Sequence, residues 1–489
     1  MLRTLATKNS VLRTARWRWL RLSAAIAFAS SFFAIQAAAQ DAALGEPAPE
    51  ASIESLAERL QSAEAAIELL QEENKRLTES YDSVAESLDG IQKTNEETRW
   101  YDRFEFRGYA QFRFNQVTHY DPGSAPADHP TDSSVQDNQE FLIRRLRPTL
   151  FGDISDHLYF YLQPDLVANT DGSVDNIYFA QLRDCYADLY FDTTKVHRLR
   201  VGQTKIPYGW EKLQSSATRL PIDRGDAFNS ASRNERDLGI FYYWTPEPVQ
   251  ELFEYIQDEN LKGSGNYGVF GFGAYNGQGG SIRELNDELH LITRLALPYQ
   301  LDSGQIIESG IQAYTGRYVV GGAPIAPLGV GPAAVPTGTR TQPGGADEGL
   351  LDQRIGVNFV YYPQPLGVYA EWTVGRGPEL NAAQTAVERA SLQGGQAQLY
   401  HRYVSQCHGE FWPFARWQYY QGGYKYAANS PAAEINEWSL GLEWQIRKEI
   451  ELVTEYLMTD RTNLRAFSTG ESYNQFVGDV LRFQLQLNY

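Results

Sequence analysis

A chain of 489 residues carrying 43 Lys and Arg against 61 Asp and Glu, a formal net charge of −18, excludes a nucleic-acid binder that works through a basic face. A mean hydropathy of −0.44, with no run of 18 apolar residues after position 39, excludes a bundle of transmembrane helices. Aromatics make up 13% of residues, with 30 Tyr, 10 Trp and 41 Gly, which fits the interfacial girdles and bends of a membrane-spanning β-barrel. A large secreted all-β protein would share that composition.

The first 39 residues read as a secretory signal. Arg3, Lys8, Arg13, Arg16, Arg18 and Arg21 form a basic n-region, an apolar run spans Leu22 to Ile35, and Ala37-Ala38-Ala39 is an A-x-A cleavage pattern. The apolar run is too short, and too rich in Ala and Ser, to anchor in a bilayer about 20 residues thick. Removing the six basic residues leaves 37 against 61 acidic, a net charge of about −24. Residues 40–52, rich in Ala, Pro and Glu, read as a linker.

Residues 53–99 predict a coiled-coil stalk. Ile53, Leu60, Ile67, Asn74, Tyr81 and Leu88 take a positions, and Leu56, Ala63, Leu70, Leu77, Val84 and Ile91 take d positions. Two apolar positions in seven make a seam, narrower than the stripe of a helix lying on a globular surface. Asn74 at an a position is a device for setting register and strand number. Ile at a with Leu at d leans toward a parallel dimer, whereas a trimeric barrel would impose three strands. Gly90, Asn95 and the Glu-rich stretch beyond bring the helix to its end before Trp100.

From Trp100 the helical period gives way to alternation. In RFEFRGYAQFRFN, Phe104, Phe106, Ala110, Phe112 and Phe114 share one face, and Glu105, Arg107, Tyr109, Gln111 and Arg113 the other. The last strand, GDVLRFQLQLNY, places Leu481, Phe483, Leu485, Leu487 and Tyr489 opposite Arg482, Gln484, Gln486 and Asn488. In a membrane such a strand turns its apolar side to lipid and its polar side to a wet lumen. An aromatic final residue behind alternating apolar ones resembles the signal read by the Gram-negative barrel-assembly machinery. Tyr489 is therefore expected to close the barrel against the strand that opens at Arg103.

The connections sort by length. Ile154–Asp156, Asp192–Lys195, Tyr299–Ser303, Pro363–Pro365, Ser405–Gly409 and Arg447-Lys448 are brief, and 246–264 is a less tidy seventh. Eight longer segments alternate with them, near 119–137, 168–174, 206–236, 277–286, 319–352, 376–395, 421–434 and 460–476. Fifteen connections join sixteen strands, so 100–489 is expected to be an all-β, sixteen-stranded antiparallel transmembrane β-barrel preceded by the coiled coil. The even count puts both barrel ends on the periplasmic side with the stalk. Barrels of this size enclose an aqueous channel.

Motifs of catalysis are poor. GFGAYNGQGG offers a GxGxxN spacing from Gly271, but no helix follows, so a strand entering an Asn-Gly turn is the better reading. His157, His197, His290, His401 and His408 lack metal-ligand spacing, and the His401–His408 stretch around Cys407 reads as a turn. Neither a cofactor nor a metal is expected, and no enzyme. Cys185 and Cys407 are read as structural thiols that could pair after export.

The stretch LRDCYADLYFDTTKVHRLRVGQTKIPYGWEKLQSS, followed by RLPIDRGDAF and RNERDLGI, resembles the phosphate-selective porin O and P family. Its RVGQxKxPYG block carries the match, with FLIRRLRPTLFGDISDHLYFYLQPDL and GAYNGQGG beside it; the second half is similar in rhythm. The resemblance implies a trimeric sixteen-stranded porin whose third outer loop folds inward, with an Arg ladder and a Lys-lined constriction passing anions. That Lys cluster is not recognisable here.

Candidate anion-binding residues follow. The third long segment carries Lys212, Arg219, Arg224, Arg233 and Arg236, diluted by Glu211, Asp223, Asp226, Glu235 and Asp237. Alternation turns Arg107, Arg113, Arg198, Arg200 and Arg482 to the lumen; in the RRLR run Arg145 and Arg147 share a face. The expected function is passive diffusion of small hydrophilic solutes, anions preferred and phosphate among them. The expected partners are outer-membrane lipid, two further copies of the chain, small anions, and the cell wall through the coiled coil. The alternative is an envelope tether whose barrel is mainly an anchor.

Overall fold

The computed structural model describes residues 53–98, 103–121, 135, 140–167, 179–321, 349–382, 386–427, 429–467 and 470–489. The expected signal and linker lie outside them. The chain divides into two units, Met1–Thr98 and Arg99–Tyr489.

The first unit contains one helix, α1 (Ile53–Thr98), 46 residues long and so about 70 Å at 1.5 Å per residue. It runs through Gly90 without a break; one glycine costs a helix only about 1 kcal/mol. Leu60, Ile67, Leu70, Leu77, Tyr81, Val84 and Leu88 are all exposed along it. Among the described residues no helix is long and apolar enough to cross a membrane, which leaves strands free to do so.

The second unit is a closed sheet. Its strands are β1 (Phe104–Tyr120), β2 (Glu140–Ser155), β3 (Leu158–Val167), β4 (Phe179–Tyr190), β5 (His197–Lys205), β6 (Arg236–Trp244), β7 (Phe270–Tyr275) and β8 (His290–Gln300). There follow β9 (Ile306–Tyr318), β10 (Leu350–Tyr361), β11 (Leu366–Leu380), β12 (Val387–His401, resuming at Tyr403–Ser405), β13 (Gly409–Gly423), β14 (Ala432–Arg447), β15 (Ile450–Phe467) and β16 (Gly470–Asn488). Both pieces of β12 pair with β13, so seventeen hydrogen-bonded segments make sixteen staves. Each stave pairs antiparallel with its sequence neighbour, and β1 pairs with β16.

At that seam Tyr489 and Gly108 exchange backbone hydrogen bonds of 2.8 and 3.0 Å. A Cβ on Gly108 would stand 2.7 Å from the Tyr489 ring, so the seam needs glycine there.

The burial pattern is that of an inside-out protein. Along β8, Leu291, Leu295 and Leu297 are exposed while His290, Ile292, Arg294 and Ala296 are buried. Apolar side chains face outward, where lipid rather than water satisfies them, and polar ones face inward. The RRLR run breaks alternation for a local reason: Gln111 pairs with Arg145 but Phe112 with Ile143, so Arg144 is an extra residue in a bulge. Arg145 and Arg147 both end up buried inside.

Three expected long segments are shorter than read. β11 and β12 run on to Leu380 and from Val387, β13 and β14 leave only 424–431 between them, and β15 ends at Phe467 with β16 starting at Gly470. Polar residues there still ladder as hairpins, because backbone pairing continues whether or not the side chains meet lipid. Conversely, the connection after β6, expected over 246–264 among the brief ones, holds a helix, α4 (Glu247–Asp258). Cys185, half-buried on β4, and Cys407, exposed in the turn after β12, are unpaired.

Candidate functional site: the barrel interior

β5 ends at Lys205, and the segment to β6 turns into the barrel rather than away from it. Gly209, at φ 85, makes the turn that a Cβ would strain, and Phe228 packs on its open side. Two single-turn helices follow, α2 (Trp210–Leu213) and α3 (Asp226–Asn229). Nearly every residue from Ile206 to Ser232 is buried.

The contacts of this segment span the interior. Arg416 of β13 reaches Glu211 at 3.4 Å and donates to the Asp223 carbonyl at 2.7 Å. In a ring of sixteen, β5 and β13 stand eight staves apart, so this contact joins opposite walls. Arg461 of β15 pairs with Asp226 at 3.0 Å, and Arg354 of β10 donates to Ser230 Oγ at 2.7 Å. Arg482 of β16 and Arg113 of β1 both meet the Asp223 carboxylate, the latter at 3.5 Å. The backbone N–H of Trp210 donates to Glu371 of β11 at 2.8 Å, while the indole lies 4.7 Å from the Tyr369 ring, centroid to centroid.

The segment's exit is bolted to the adjoining wall by charge. Glu235 accepts from Arg224 at 2.7 Å and Arg183 at 3.1 Å and also pairs with Arg236. Burial favours the neutral acid, but these guanidiniums win and hold the Glu235 carboxyl well below the usual range. Arg236 pairs with Asp184 at 2.9 Å; Arg200 makes a two-pronged pair with Asp188 at 2.7 and 2.8 Å over the Tyr186 ring. Lys205 donates to the Leu213 and Gln214 carbonyls at 2.8 and 2.7 Å.

The sequence-expected candidates therefore part company. Arg113, Arg145, Arg147, Arg198, Arg200, Arg236 and Arg482 are buried and inward, and Lys212, Arg219 and Arg224 are buried in the segment. Arg107 is exposed near the short-turn end, stacked 4.4 Å over the Phe151 ring, and Arg233 is exposed. Most of the buried ones are matched by carboxylates. Three are not: among the described residues Arg145, Arg219 and Lys212 have no carboxylate in ion-pair contact, and Lys212 donates to Ser232 Oγ instead. Arg145 donates to Gln111 Oε1 at 2.8 Å and leaves its Nε without a partner; Arg219 donates to the Pro221 carbonyl at 2.8 Å and leaves Nη1 without one. Arg144, Arg147, Arg113 and Arg219 crowd around Arg145, and Asp165, paired with Arg147, is the carboxylate whose field it also feels. Burial, and then Arg224, lower the Arg219 guanidinium's hold on its proton, and the more distant Glu211, Asp223 and Glu235 offset them only in part.

Several interior charges escaped the sequence reading. Arg354 sits on a clean alternation, Asp352-Arg354 inward against Gln353-Ile355 outward, and was legible. Arg416 was not, because EFWPFARWQYY is apolar or aromatic on both faces. Arg461 and Lys425 fell in stretches read as loop.

The profile of the family described as "Phosphate-selective porin O and P" matches residues 112–489. The chain belongs to that family. This porin is thus an outer-membrane channel protein. Among solved structures it is similar to OmpF of Salmonella typhi (13% identity, 79% of this chain and 97% of that one, TM-score 0.48). It is also similar to the trimer form of OmpT from Vibrio cholerae (10%, 79% and 99%, TM-score 0.43) and to an anion-selective porin from Comamonas acidovorans (12%, 79% and 99%, TM-score 0.43). No curated protein matches it in sequence.

Proposed function

We propose that the barrel passes small hydrophilic solutes by passive diffusion, preferring anions, through a constriction formed by the inward segment 206–236. One observation carries the anion preference. In an interior whose other buried guanidiniums are ion-paired, Arg145 and Arg219 are buried and, among the described residues, have no carboxylate in ion-pair contact, while other arginines crowd both. A guanidinium in that position offers two-pronged hydrogen bonds to an oxyanion. Phosphate is such an anion, and the family's description favours it.

Reversal potential across a planar bilayer in a KCl gradient, repeated with potassium phosphate, tests this. The reading requires anions to carry most of the current in the wild type. Arg145→Ala with Arg219→Ala should reduce the anion-to-cation permeability ratio roughly fivefold per charge, since a unit charge at about 4 Å in water is worth about 1 kcal/mol. Cation-dominated current in the wild type would overturn it.

A second reading rests on α1. Its exposed seam of Leu60, Ile67, Leu70, Leu77 and Val84 fits a coiled coil with further copies of the chain, and three copies suit a porin. Such a stalk, in the periplasm, would hold the subunits together and space the membrane from the cell wall. Loss of envelope adhesion without residues 53–91, at unchanged conductance, would favour tethering as its role.

A further inference from the structure

The connection between β6 and β7 is unlike every other at its end of the barrel. The rest are turns of a few residues, whereas this one contains α4 and a strap, residues 259–265. Phe253 and Ile256 of the helix and Leu261 of the strap are buried in one cluster with Tyr362, Tyr400 and Trp412. Those three aromatics lie at the short-turn ends of β10, β12 and β13, far around the ring from β6.

The strap reaches the opposite wall. Lys262 forms an ion pair with Glu443 of β14, the two side chains only 2% and 0% exposed, and lies 5.0 Å over the Trp412 ring. Asn260 donates to Gln445 of β14 at 2.9 Å. β6 and β14 are eight staves apart in a ring of sixteen, so a contact between them crosses the mouth of the barrel. Asn260 and Lys262 both take left-handed φ, 54 and 59, a conformation that residues other than glycine hold only against a cost. The Gln214 amide donates to the Lys262 carbonyl, joining the strap to the inward segment. The outer face of α4, with Glu247, Glu251, Glu254 and Asp258, is exposed and acidic, as befits the solvent side of a lid.

We infer that α4 and residues 259–265 form a second constriction across the short-turn mouth, clasped by Lys262–Glu443, in series with the segment 206–236. This rests on the channel reading. Lys262 and Glu443 then act on permeating ions as a matched pair, and releasing either one widens the mouth and unbalances its charge.

The test is single-channel recording of the full-length protein in planar bilayers. Lys262→Met and Glu443→Gln should each raise conductance at least twofold and shift the reversal potential in opposite directions: toward cations for Lys262→Met, which bares the acid, and toward anions for Glu443→Gln, which bares the base. A buried pair whose role is only to hold the fold would not give opposite signs. Should either variant fail to fold, a second arm adds a restraint instead. Asn260→Cys with Gln445→Cys, in a background of Cys185→Ser and Cys407→Ser, is bridged by a reductant-cleavable bifunctional thiol reagent. Bridging should silence any opening fluctuations or leave conductance at its lowest level, and reductant should restore it. Wild-type current unchanged by all three manipulations overturns the second constriction and leaves the channel reading intact. No current from the wild type or from any released variant overturns both.

Discussion

Arg482 of β16 and Asp223 of the inward segment form an ion pair whose side chains are 2% and 4% exposed, directly beside the seam where β16 closes on β1. Asp223 also meets Arg113 across that seam. One carboxylate thus ties the inward segment to the first and last strands together.

Asp223→Asn should therefore act on both structure and selectivity. It leaves two guanidiniums buried with less counter-charge, and breaking a buried pair costs about 3–5 kcal/mol. The heat-modifiable shift on gels should occur at lower temperature than in the wild type. In bilayers, current noise should rise and the reversal potential move further toward anions. A variant with wild-type thermal behaviour and selectivity would show that Asp223 does not anchor the segment.

Glu235 predicts a pH window. Its carboxyl is depressed in the folded state by Arg224, Arg183 and Arg236 against the opposing effect of burial. A depressed acid contributes stability that is complete above its unfolded pKa, about 4.3, and is lost as pH falls through the folded value. The stability advantage of wild type over Glu235→Gln should be constant from pH 7 to about 5 and shrink only in stronger acid. Unfolding temperature measured against pH for the two proteins decides it; an advantage that disappears near neutrality contradicts the ion-pair assignment.

The unpaired cysteines report sidedness. Cys407 is exposed in the short turn between β12 and β13, while Cys185 is half-buried on the outward face of β4. A membrane-impermeant maleimide should label Cys407 after the outer membrane is permeabilised and not in intact cells. Mobility on gels should be the same with and without reductant. Labelling of Cys407 from outside intact cells would reverse the assignment of short turns to the periplasm.

Leu77 predicts assembly through α1. Leu70→Asp with Leu77→Asp puts charge on successive d positions of an exposed seam. Chemical cross-linking of the stalk should fall from trimers to monomers, with the barrel still folded by heat modifiability. Undiminished cross-linking would show that the stalk does not associate through that seam.

How far the sequence reaches is visible in particular residues. Arg113, Arg198, Arg200 and Arg482 are inward as alternation requires, since a strand commits each side chain to one face by its position alone. Arg145 and Arg147 are inward as well, through a bulge at Arg144 that alternation cannot show. α4 was missed because a short amphipathic helix among turn residues does not announce which neighbour buries its apolar face. The ends of β11 to β16 were misread because polar strands beyond the lipid look like loops.

Period-two alternation and the sorted connections are local properties, so the sequence by itself determined a sixteen-stranded closed barrel and, on the cleanly alternating strands, which residues face its interior. Whether an interior charge is free or matched is not local. It depends on partners such as Asp223 for Arg482, 259 positions away, and Glu443 for Lys262, 181 positions away. Only the closed ring, with one segment turned inward and one strap drawn across its mouth, decided that Arg145 and Arg219 have no carboxylate in contact among the described residues and that Lys262 is clasped.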